Sequence, residues 1–334
     1  MRAPFYTVGI ESSCDETAVA ILNGERELVA SVIYSQAQMH ARYGGVVPEV
    51  ASRDHLRKLP YLVREALAEA GIAPRDISLV AATYGPGLVG PLLVGLCYGK
   101  GMAYGLNAPF IGVNHLEGHI FAQRLCDAEI QPPFMALIVS GGHTSLVDVA
   151  SYGDYQLVGM TVDDAAGEAL DKVGKILGIG YPAGAEIDRL ASEGDPTAIN
   201  FPRPMSGSPG FDFSFAGLKT SVLYYLRKHP RERREDVAAS FLASVVSVLT
   251  KKSLDATKRY HRKNLVVVGG VAANSHLRKR LREDGSARGI DVTFPEVKYC
   301  TDNAAMIAAA GAYHHIVLHE SHPLSLGPQP SLSL

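Results

Sequence analysis

The chain has 334 residues, of which 47% are hydrophobic and 20% charged, and its formal net charge is −2. This is the composition of an ordinary globular protein with about two domains, and any contact with nucleic acid has to come from a local patch rather than from the overall charge. The 4 cysteines form no C-x-x-C pair, which argues against a zinc knuckle or a disulfide framework and favours reduced thiols.

Two features of the sequence argue against a signal peptide and a membrane span. The first residues, "MRAPFYTVGIESSCDET", become polar too early for a signal peptide. The most apolar stretch, "LVAATYGPGLVGPLLVGL", is interrupted by Pro86, Pro91 and several glycines, so a buried strand, a turn and a helix explain it better than a membrane span. We therefore expect a cytoplasmic protein with no membrane partner.

Strands and helices alternate along the chain. "FYTVGIE" and "TAVAIL" are short apolar strands around the polar tip "SSCDE", and a helix in "DHLRKLPYLVREALAEAG" precedes two further strands, "ISLVAATY" and "APFIGV". "PFMALIVSGGHTSLVDVAS" repeats the hairpin, and helices follow in "AAGEALDKVGKILG" and "YPAGAEIDRLASEG" and in two long patterns that end near Arg262. "NLVVVGGVAANSHLRKRLRE" reads as strand, turn and helix, and "TDNAAMIAAAGAYHHIVL" as a last helix. This alternation predicts an α/β fold.

The two hairpins suggest an internal duplication. Both have small or polar tips, and a third glycine turn, "GGVAAN", follows later, so we expect a duplicated core that holds a nucleotide between two lobes. Backbone amides in such turns can bind phosphate, although Gly141, Gly142, Gly269 and Gly270 taken singly also suit ordinary turns. The P-loop pattern G-x-x-x-x-G-K-[ST] is absent, and no G-x-G-x-x-G follows the first strand.

"HLEGH" places His115 and His119 one helical turn apart, where they could share a divalent metal. In H-E-x-x-H proteases the glutamate directly follows the first histidine, but here Glu117 lies about 200° around the helix from His115 and points away. Taken alone, the pair suits a structural role as well as a metal. The similarly spaced His315 and His319, with His314 and His322 nearby, are interpreted as a solvated chain end.

Three basic runs occur in the second half of the chain: residues 226–235, 257–264 and 277–283. Each suits a solvated helical face, and together they suit contacts with phosphates. There is no Trp and no aromatic ladder of the kind that binds single strands.

The whole chain resembles the universal tRNA threonylcarbamoyladenosine transferase family, whose members were formerly described as O-sialoglycoprotein endopeptidases. The resemblance is carried by a set of motifs: "GIESSCDET", "GGVVPEVASRDH", "GPGLVGPLLVG", "NHLEGH", "IVSGGHT", "DDAAGEALDKVGKILG", "DFSFAGLKT", "GGVAAN" and "CTDNAAM". It implies the two-lobed α/β fold of actin, the Hsp70 chaperones and sugar kinases, with duplicated RNase H-like domains. The predicted lobes are residues 1–133 with 300–334, and residues 134–299.

The resemblance also implies a reaction and its site. The threonylcarbamoyl group moves from threonylcarbamoyl-AMP to N6 of adenosine 37 in tRNAs that read ANN codons, which forms t6A and releases AMP. The implied metal ligands are His115, His119 and Asp302, a set typical of Fe²⁺ and compatible with Zn²⁺. Asp15 and Glu16 are candidates for accepting the amine proton. The implied positions for the adenylate or an ATP-type nucleotide are Ile138, Val139, Ser140, Gly141, Gly142, Asp171, Gly184, Asp188 and Asn274.

Bacterial members of this family work with a smaller paralogous subunit of the same fold (TsaB-like) and an ATPase subunit (TsaE-like). The helix in "DHLRKLPYLVREALAEAG" is a candidate docking surface for the paralogue, although core packing explains its pattern equally well. Three other classes stay open: a metalloprotease, an ATPase or kinase of the actin-like fold, and a non-catalytic paralogue, which should lack the three metal ligands.

Overall fold

The computed structural model describes residues 4–126 and 130–334. The chain divides into two compact units: unit 1 comprises residues 1–129 and 302–334, and unit 2 comprises residues 130–301. Unit 1 is therefore built from both ends of the chain. The lobe boundaries predicted from the sequence lie a few residues from these positions.

Unit 1 contains a five-stranded sheet in the order β3-β2-β1-β4-β5. Its strands are β1 (Tyr6–Glu11), β2 (Glu16–Asn23), β3 (Glu27–Ser35), β4 (Ile77–Gly85) and β5 (Phe110–Asn114). β1, β2 and β3 pair antiparallel, whereas β1, β4 and β5 pair parallel. β5 is buried along its whole length, which is the continuous apolar pattern of a parallel strand covered on both faces.

Unit 2 repeats this plan in the order β10-β9-β6-β7-β8. Its strands are β6 (Phe134–Val139), β7 (Thr144–Ser151), β8 (Asp154–Met160), β9 (Asn264–Val268) and β10 (Asp291–Thr293). β6, β7 and β8 form the antiparallel part, and β6, β9 and β10 the parallel part. Each unit thus has one antiparallel meander followed by two parallel strands, and the predicted α/β fold with an internal duplication is confirmed.

The helices connect and cover these strands. In chain order they are α1 (Ala37–Ala41), α2 (Pro48–Ala70), α3 (Val89–Leu106), α4 (His115–Phe121), α5 (Ala166–Ile176), α6 (Gly184–Ala191), α7 (Ala216–Lys228), α8 (Arg234–Arg259), α9 (Ser275–Ala287) and α10 (Ala304–Ile316). α2 begins with Pro48 at its first position and ends at Gly71, whose φ of 65° is the left-handed conformation that favours glycine.

α10 packs very closely on the sheet of unit 1 because glycine and alanine line the contact. A Cβ atom on Gly9 of β1 would lie 2.3 Å from the backbone oxygen of Ala304, and one on Gly311 would lie 2.4 Å from Cβ of Ala81. A Cβ atom on Gly118 of α4 would lie 2.7 Å from the side chain of Ile307. These glycines allow β1, β4 and α4 to approach the same helix.

By length and composition, α8 is the one helix among the described residues that could cross a membrane, but 83% of its apolar 18-residue window is buried inside the protein. Its buried side chains, among them Phe241, Leu242 and Leu249, belong to the hydrophobic core of unit 2. α8 is therefore the central core helix of that unit.

Sequence patterns located the buried elements better than the exposed ones. The third strand of each meander, β3 and β8, has mostly exposed or half-exposed residues and no clear apolar alternation, so its sequence does not predict a strand. The long helical pattern predicted to end near Arg262 ends at Arg259. His261 then adopts a φ of 55°, which turns the chain out of the helix.

The close packing of β1 on α10 predicts that Gly9→Ala destabilises the protein by about 2 kcal/mol or more, because the added methyl meets backbone atoms that cannot move aside. Gly101→Ala in the exposed part of α3 is the control, since a Cβ atom there meets nothing within 4 Å. Urea denaturation should show a lower midpoint for Gly9→Ala and an equal or higher one for Gly101→Ala. Equal midpoints for all three proteins would contradict the prediction.

Candidate functional site

The two histidines of "HLEGH" begin α4 directly after the buried strand β5. Asn114 caps the helix, since its Oδ1 accepts the Leu116 amide at 2.9 Å. His115 and His119 lie one turn apart with their ring centroids 4.8 Å apart. Asp302 approaches them from the segment before α10, whose own N-cap is Asn303. Two helix starts therefore meet at this point in unit 1.

The three side chains have the geometry of a metal-binding group. Nε2 of His119 lies 3.2 Å and Nε2 of His115 lies 3.6 Å from Oδ1 of Asp302. One ligand atom from each of the three lies within 4.8 Å of the others. Ligands bound at about 2.1 Å to a common ion stand roughly 3 to 3.5 Å apart, so a small inward movement would suffice to coordinate one.

His119 supplies the observation that tests whether a metal fits. Both of its ring nitrogens are buried and make no hydrogen bond to the part of the chain that the structure describes, since Nε2 lies 3.2 Å from Asp302 but without hydrogen-bond geometry. A buried polar atom without a partner costs free energy, and a metal ion at Nε2 would remove that cost for one of the two atoms. The Asp302 side chain is 21% exposed, which leaves room for further ligands on one side of the group.

Glu11, at the end of β1, contacts Nδ1 of His115, the ring nitrogen that does not face Asp302. Its Oε2 lies 3.0 Å from Nδ1 of His115 and also accepts the Thr83 hydroxyl at 2.6 Å. Burial lowers the pKa of His115, but the carboxylates of Glu11 and Asp302 outweigh burial and raise it to about 9. Burial raises the pKa of Glu11, and the attraction of His115 outweighs it, so that pKa is lowered. A carboxylate that accepts from Nδ1 leaves Nε2 available as a ligand.

Glu117 points away from the histidine pair, as the helical wheel predicts. Its Oε1 lies 2.9 Å from Nε2 of His314 on α10, whose Nδ1 contacts Glu320. Glu117 is therefore engaged in an ion pair between α4 and α10. It is not in the position that a metalloprotease general base requires.

The interpretation of the histidines at the chain end as solvated was wrong for most of them. The side chain of His314 is only 16% exposed, and His322 accepts the Gly112 amide at 2.9 Å. His315 stacks on Phe5 with ring centroids 6.0 Å apart. Only His319 is exposed, and it has a left-handed backbone conformation. The others hold the chain end on unit 1 because their rings find partners that lie far away in sequence.

The tip of the first hairpin carries Asp15 and Glu16, the two candidate proton acceptors. Burial, together with the carboxylates of Asp302 and Asp15, raises the pKa of Glu16 to about 9. Asp15 is 8% exposed, and its backbone oxygen accepts the Gln36 amide at 3.0 Å. The role of either carboxyl group as a proton acceptor stays a prediction.

His55 of α2 holds this tip in place. Its Nδ1 lies 2.7 Å from the Thr17 hydroxyl, and its Nε2 lies 3.0 Å from the backbone oxygen of Cys14. A carbonyl oxygen can only accept, so Nε2 carries the proton and Nδ1 accepts from Thr17. Burial lowers the pKa of His55, which agrees with this neutral form. His55 therefore bridges both sides of the residues that carry the two carboxyl groups.

In unit 2, the predicted adenylate-binding turns follow β6 and β9, which are neighbours in the sheet. Ile138 and Val139 end β6, and the amide of Ser140 donates to the backbone of His143 at 2.8 Å. Gly141 and Gly142 are exposed. Gly269, with a φ of 95°, opens the second turn so close to Val139 that a Cβ atom would lie 2.4 Å from its carbonyl oxygen. The carboxyl ends of parallel strands are where open α/β sheets bind ligands.

The remaining four residues that were predicted to bind the nucleotide lie in two places. Asp171 accepts the Ala183 amide at 2.8 Å, next to Gly184 at the start of α6. Asp188 accepts the Ser275 amide at 3.0 Å and lies 2.8 Å from Nδ1 of His276.

Asn274, the N-cap of α9, precedes these two partners of Asp188. Its Oδ1 accepts the Leu277 amide at 2.9 Å, while its Nδ2 is buried with no partner among the described residues. That amide nitrogen therefore has hydrogen-bonding capacity that the described residues do not use. Asp188 and Asn274 thus lie at one helix start, whereas Asp171 and Gly184 lie at another.

Sequence reasoning missed three residues at these sites: Glu11, His55 and His276. Glu11 lies within "GIESSCDET" and His55 within "GGVVPEVASRDH", so both were inside quoted motifs but had no assigned partner. Only their contacts, across 104 and 38 residues, reveal what they do.

Comparisons with known proteins show the family to which the chain belongs. The family model described as TsaD, tRNA N6-adenosine threonylcarbamoyltransferase, matches residues 27–309. A tRNA N6-adenosine threonylcarbamoyltransferase of Thermotoga neapolitana is 48% identical over 327 residues, covering 98% of this chain and 99% of the relative. That of Clostridioides difficile is 49% identical over 332 residues, covering 98% of each chain.

Solved structures show the same fold at much lower identity. Component A of the (R)-2-hydroxyglutaryl-CoA dehydratase of Acidaminococcus fermentans has a TM-score of 0.56 at 18% identity, covering 92% of this chain and 97% of that one. HypF of T. kodakarensis has a TM-score of 0.63 at 14% identity, covering 93% of this chain and 48% of that one. These two likenesses concern the fold alone.

The chain is thus a protein with a duplicated α/β fold and a candidate metal centre of two buried histidines and one partly exposed carboxylate. Within that class, the chain belongs to the family of tRNA N6-adenosine threonylcarbamoyltransferases and is an acyltransferase.

The contact between Glu11 and His115 predicts that Glu11→Gln weakens metal binding about 10- to 100-fold, since a neutral amide orients the imidazole less strongly. Glu117→Gln is the matched control, because Glu117 is a buried glutamate on the same helix as the histidines but contacts His314 instead. Calorimetric titration of the metal-free protein with Zn²⁺ and with Fe²⁺ under anaerobic conditions measures the affinity. Equal losses in the two variants would contradict the role given to Glu11.

The ion pair between Glu117 and His314 predicts a pH-dependent contribution to stability. Burial lowers the pKa of His314, but Glu117 and Glu320 outweigh it and raise the pKa from 6.5 to about 9. The stabilisation is therefore fully present below pH 6.5 and is lost as the pH rises through 9.

His314→Gln should lower the free energy of unfolding by about 2 kcal/mol at pH 6 and by much less above pH 9. His319→Asn should show no such change with pH, because this exposed side chain contacts neither carboxylate and Asn tolerates a left-handed backbone. Denaturation at several pH values measures both. If His314→Gln lowered the free energy of unfolding by the same amount at every pH, the raised pKa of His314 would be contradicted. An NMR titration midpoint of His314 near its ordinary value would also contradict it.

Proposed function

We propose that this protein transfers the threonylcarbamoyl group from threonylcarbamoyl-AMP to N6 of adenosine 37 in tRNAs that read ANN codons. The adenine amine attacks the carbamoyl carbonyl carbon, the bond from that carbon to the phosphate oxygen breaks, and AMP leaves with the electron pair while N6 loses one proton. The observation that carries the proposal is the close group of His115, His119 and Asp302 in a member of this family.

The donor is a mixed anhydride and already activated, so the protein needs no covalent nucleophile. Catalysis then rests on positioning and on stabilising charge as AMP departs. In unit 2, the exposed amides of Gly141 and Gly142 are suited to the phosphate, and the free amide group of Asn274 is suited to the nucleoside. Asp171 and Asp188 are assigned to the ribose, although each already accepts a backbone amide within the protein.

In unit 1, His115, His119 and Asp302 would hold Fe²⁺, with Zn²⁺ as the alternative, and Glu11 keeps His115 oriented toward it. The metal, when bound, supplies a Lewis acid for the oxygens of the threonylcarbamoyl group. Asp15 is assigned to accept the amine proton, since the raised pKa of Glu16 keeps that second carboxyl protonated near neutral pH.

The exposed faces of α2 and α3 support the proposal that a smaller paralogous subunit docks on unit 1. The core side of α2 is buried, with Leu59 and Val63 in the hydrophobic cluster, so core packing accounts for one face of this helix. Large apolar side chains on the two helices are between 47% and 79% exposed: Leu56, Tyr61, Val89, Leu93 and Tyr104. Several exposed large apolar side chains on neighbouring helices are typical of a protein–protein interface. We also propose an ATPase partner and a cytoplasmic location, on the basis of the family.

Supplying threonylcarbamoyl-AMP, unmodified tRNA, metal and the partner subunits tests the function. We expect modified adenosine and AMP in equal amounts, measured by mass spectrometry of digested tRNA and by chromatography. His119→Ala and prior chelation should each lower product at least about 100-fold, because both remove the metal centre.

Glu117→Gln, which leaves the ligands intact, is the control for folding and should keep most of the activity. This control also separates the transferase from the metalloprotease, in which the glutamate next to the histidines would be essential. Absence of product with the unmodified chain, or full product with His119→Ala, would overturn the proposal.

A further inference from the structure

A groove on unit 2 lies outside all the sites described so far. It has a volume of about 330 Å³ and lies between α7 and the segment at residues 199–201. Ile199 and Phe201 are buried and form its floor, while Tyr224 and Tyr225 of α7 form one wall. The groove is named the α7 groove below. Its volume is at the lower end of the range for small-ligand sites.

The floor and the inner wall of the α7 groove are preformed. The Ile199 amide donates to the Ser240 hydroxyl at 3.1 Å, and the Ser244 hydroxyl donates to the Phe201 carbonyl at 3.3 Å, which ties the segment to the core helix α8. The Tyr225 ring meets Phe201 edge-on, with centroids 5.7 Å apart.

Tyr225 has two further contacts. Its ring stacks on His229 at 4.5 Å with an interplanar angle of 23°, and its hydroxyl donates to Glu232 at 2.7 Å. With its ring and its hydroxyl both engaged, Tyr225 is a rigid part of the wall rather than a free binding group.

Tyr224, in contrast, presents its ring to solvent. It is 58% exposed, and the guanidinium carbon of Arg227 lies 5.8 Å from the ring centroid. The rim of the groove adds the amide of Asn200, the ammonium of Lys228 and the imidazole of His229. A flat exposed ring beside an amide and a cation matches the three parts of a nucleotide: the π-face of the base, its polar edge and the phosphate.

The charge around the α7 groove has the sign that a phosphate backbone requires. Within residues 226–235, two acidic side chains face five basic ones, although the whole chain carries −2. Glu232 is bonded to Tyr225, and Glu235 pairs with Arg233. The other four basic residues are exposed and have no carboxylate within ion-pair distance in the part of the chain that the structure describes: Arg227, Lys228, Arg231 and Arg234.

We propose that the α7 groove binds an unpaired nucleotide of the tRNA substrate, with its base stacked on Tyr224 and its phosphate held by Lys228 and Arg227. The proposal rests on the proposed function for the identity of the RNA. It assigns to unit 2 a contact with RNA that is separate from the adenylate-binding turns. An apolar protein segment is a poorer fit, because the rim is polar and the unpaired charges surround it on the α7 side.

Binding of an unmodified tRNA transcript to the full chain, followed by fluorescence anisotropy at several salt concentrations, tests the proposal. Tyr224→Ala should raise Kd about tenfold because base stacking is lost, and Tyr224→Phe should bind as well as the unmodified chain. Replacing both Arg227 and Lys228 with Ala should weaken binding and reduce the slope of log Kd against log salt by about two.

The matched control is the replacement of both Lys258 and Arg259 with Ala. These two residues are also exposed and also form the basic last turn of a helix, α8. Their loss removes the same charge and should change Kd and the salt slope much less. Equal effects of the two double variants would overturn the proposal, since they would show attraction by the overall surface charge. Unchanged binding by Tyr224→Ala would overturn it as well.

Product formation separates this proposal from the proposed function. Tyr224→Ala should raise KM for tRNA about tenfold and leave kcat at saturating tRNA unchanged, because the groove holds RNA and takes no part in the transfer. If the unmodified chain forms no modified adenosine, the proposed function fails, and the anisotropy comparison still decides the groove. If it does form product and Tyr224→Ala keeps both KM and Kd, the groove proposal alone fails.

Discussion

The close approach of α10 to β1, β4 and α4 is the constraint on which the candidate metal centre depends. Gly9, Gly118 and Gly311 each stand where a Cβ atom would collide with a neighbouring element. Because α10 can lie this close, Asp302, two residues before its start, reaches the two histidines of α4. Gly118 of "HLEGH" therefore matters to the candidate metal centre as well as the histidines, because its lack of a side chain lets α10 pack closely against α4.

Charge is balanced around this centre by residues from several elements. Glu11 from β1 pairs with His115, and Glu117 from α4 pairs with His314 from α10, so both of these buried carboxylates have a partner that can carry a positive charge. Breaking one such pair leaves an uncompensated buried charge, which costs far more than the pair itself contributes. The two glutamates thus have different roles: Glu11 orients a candidate metal ligand, and Glu117 joins α4 to α10.

Much of the fold could be predicted from the sequence because it depends on local patterns. Continuous apolar runs predicted β4, β5, β6 and β9, and 3.6-residue periodicity predicted α2 and α8. β3 and β8 escaped prediction because most of their residues are exposed or half-exposed, which leaves a weak apolar pattern. The candidate site was predictable in part: spacing put His115 and His119 on one face and turned Glu117 away, but Asp302 came only from the resemblance to the family.

By itself, the sequence determined the α/β class, the duplication and the orientation of Glu117, because hairpins, strands and helical faces follow from neighbours along the chain. The tertiary structure alone decided which of two equally spaced histidine pairs gains a carboxylate. Asp302 lies next to His119 although more than half the chain separates them, whereas His315 lies against Phe5. Such pairings depend on how closely helices can pack over long sequence separations, and no local pattern records that distance.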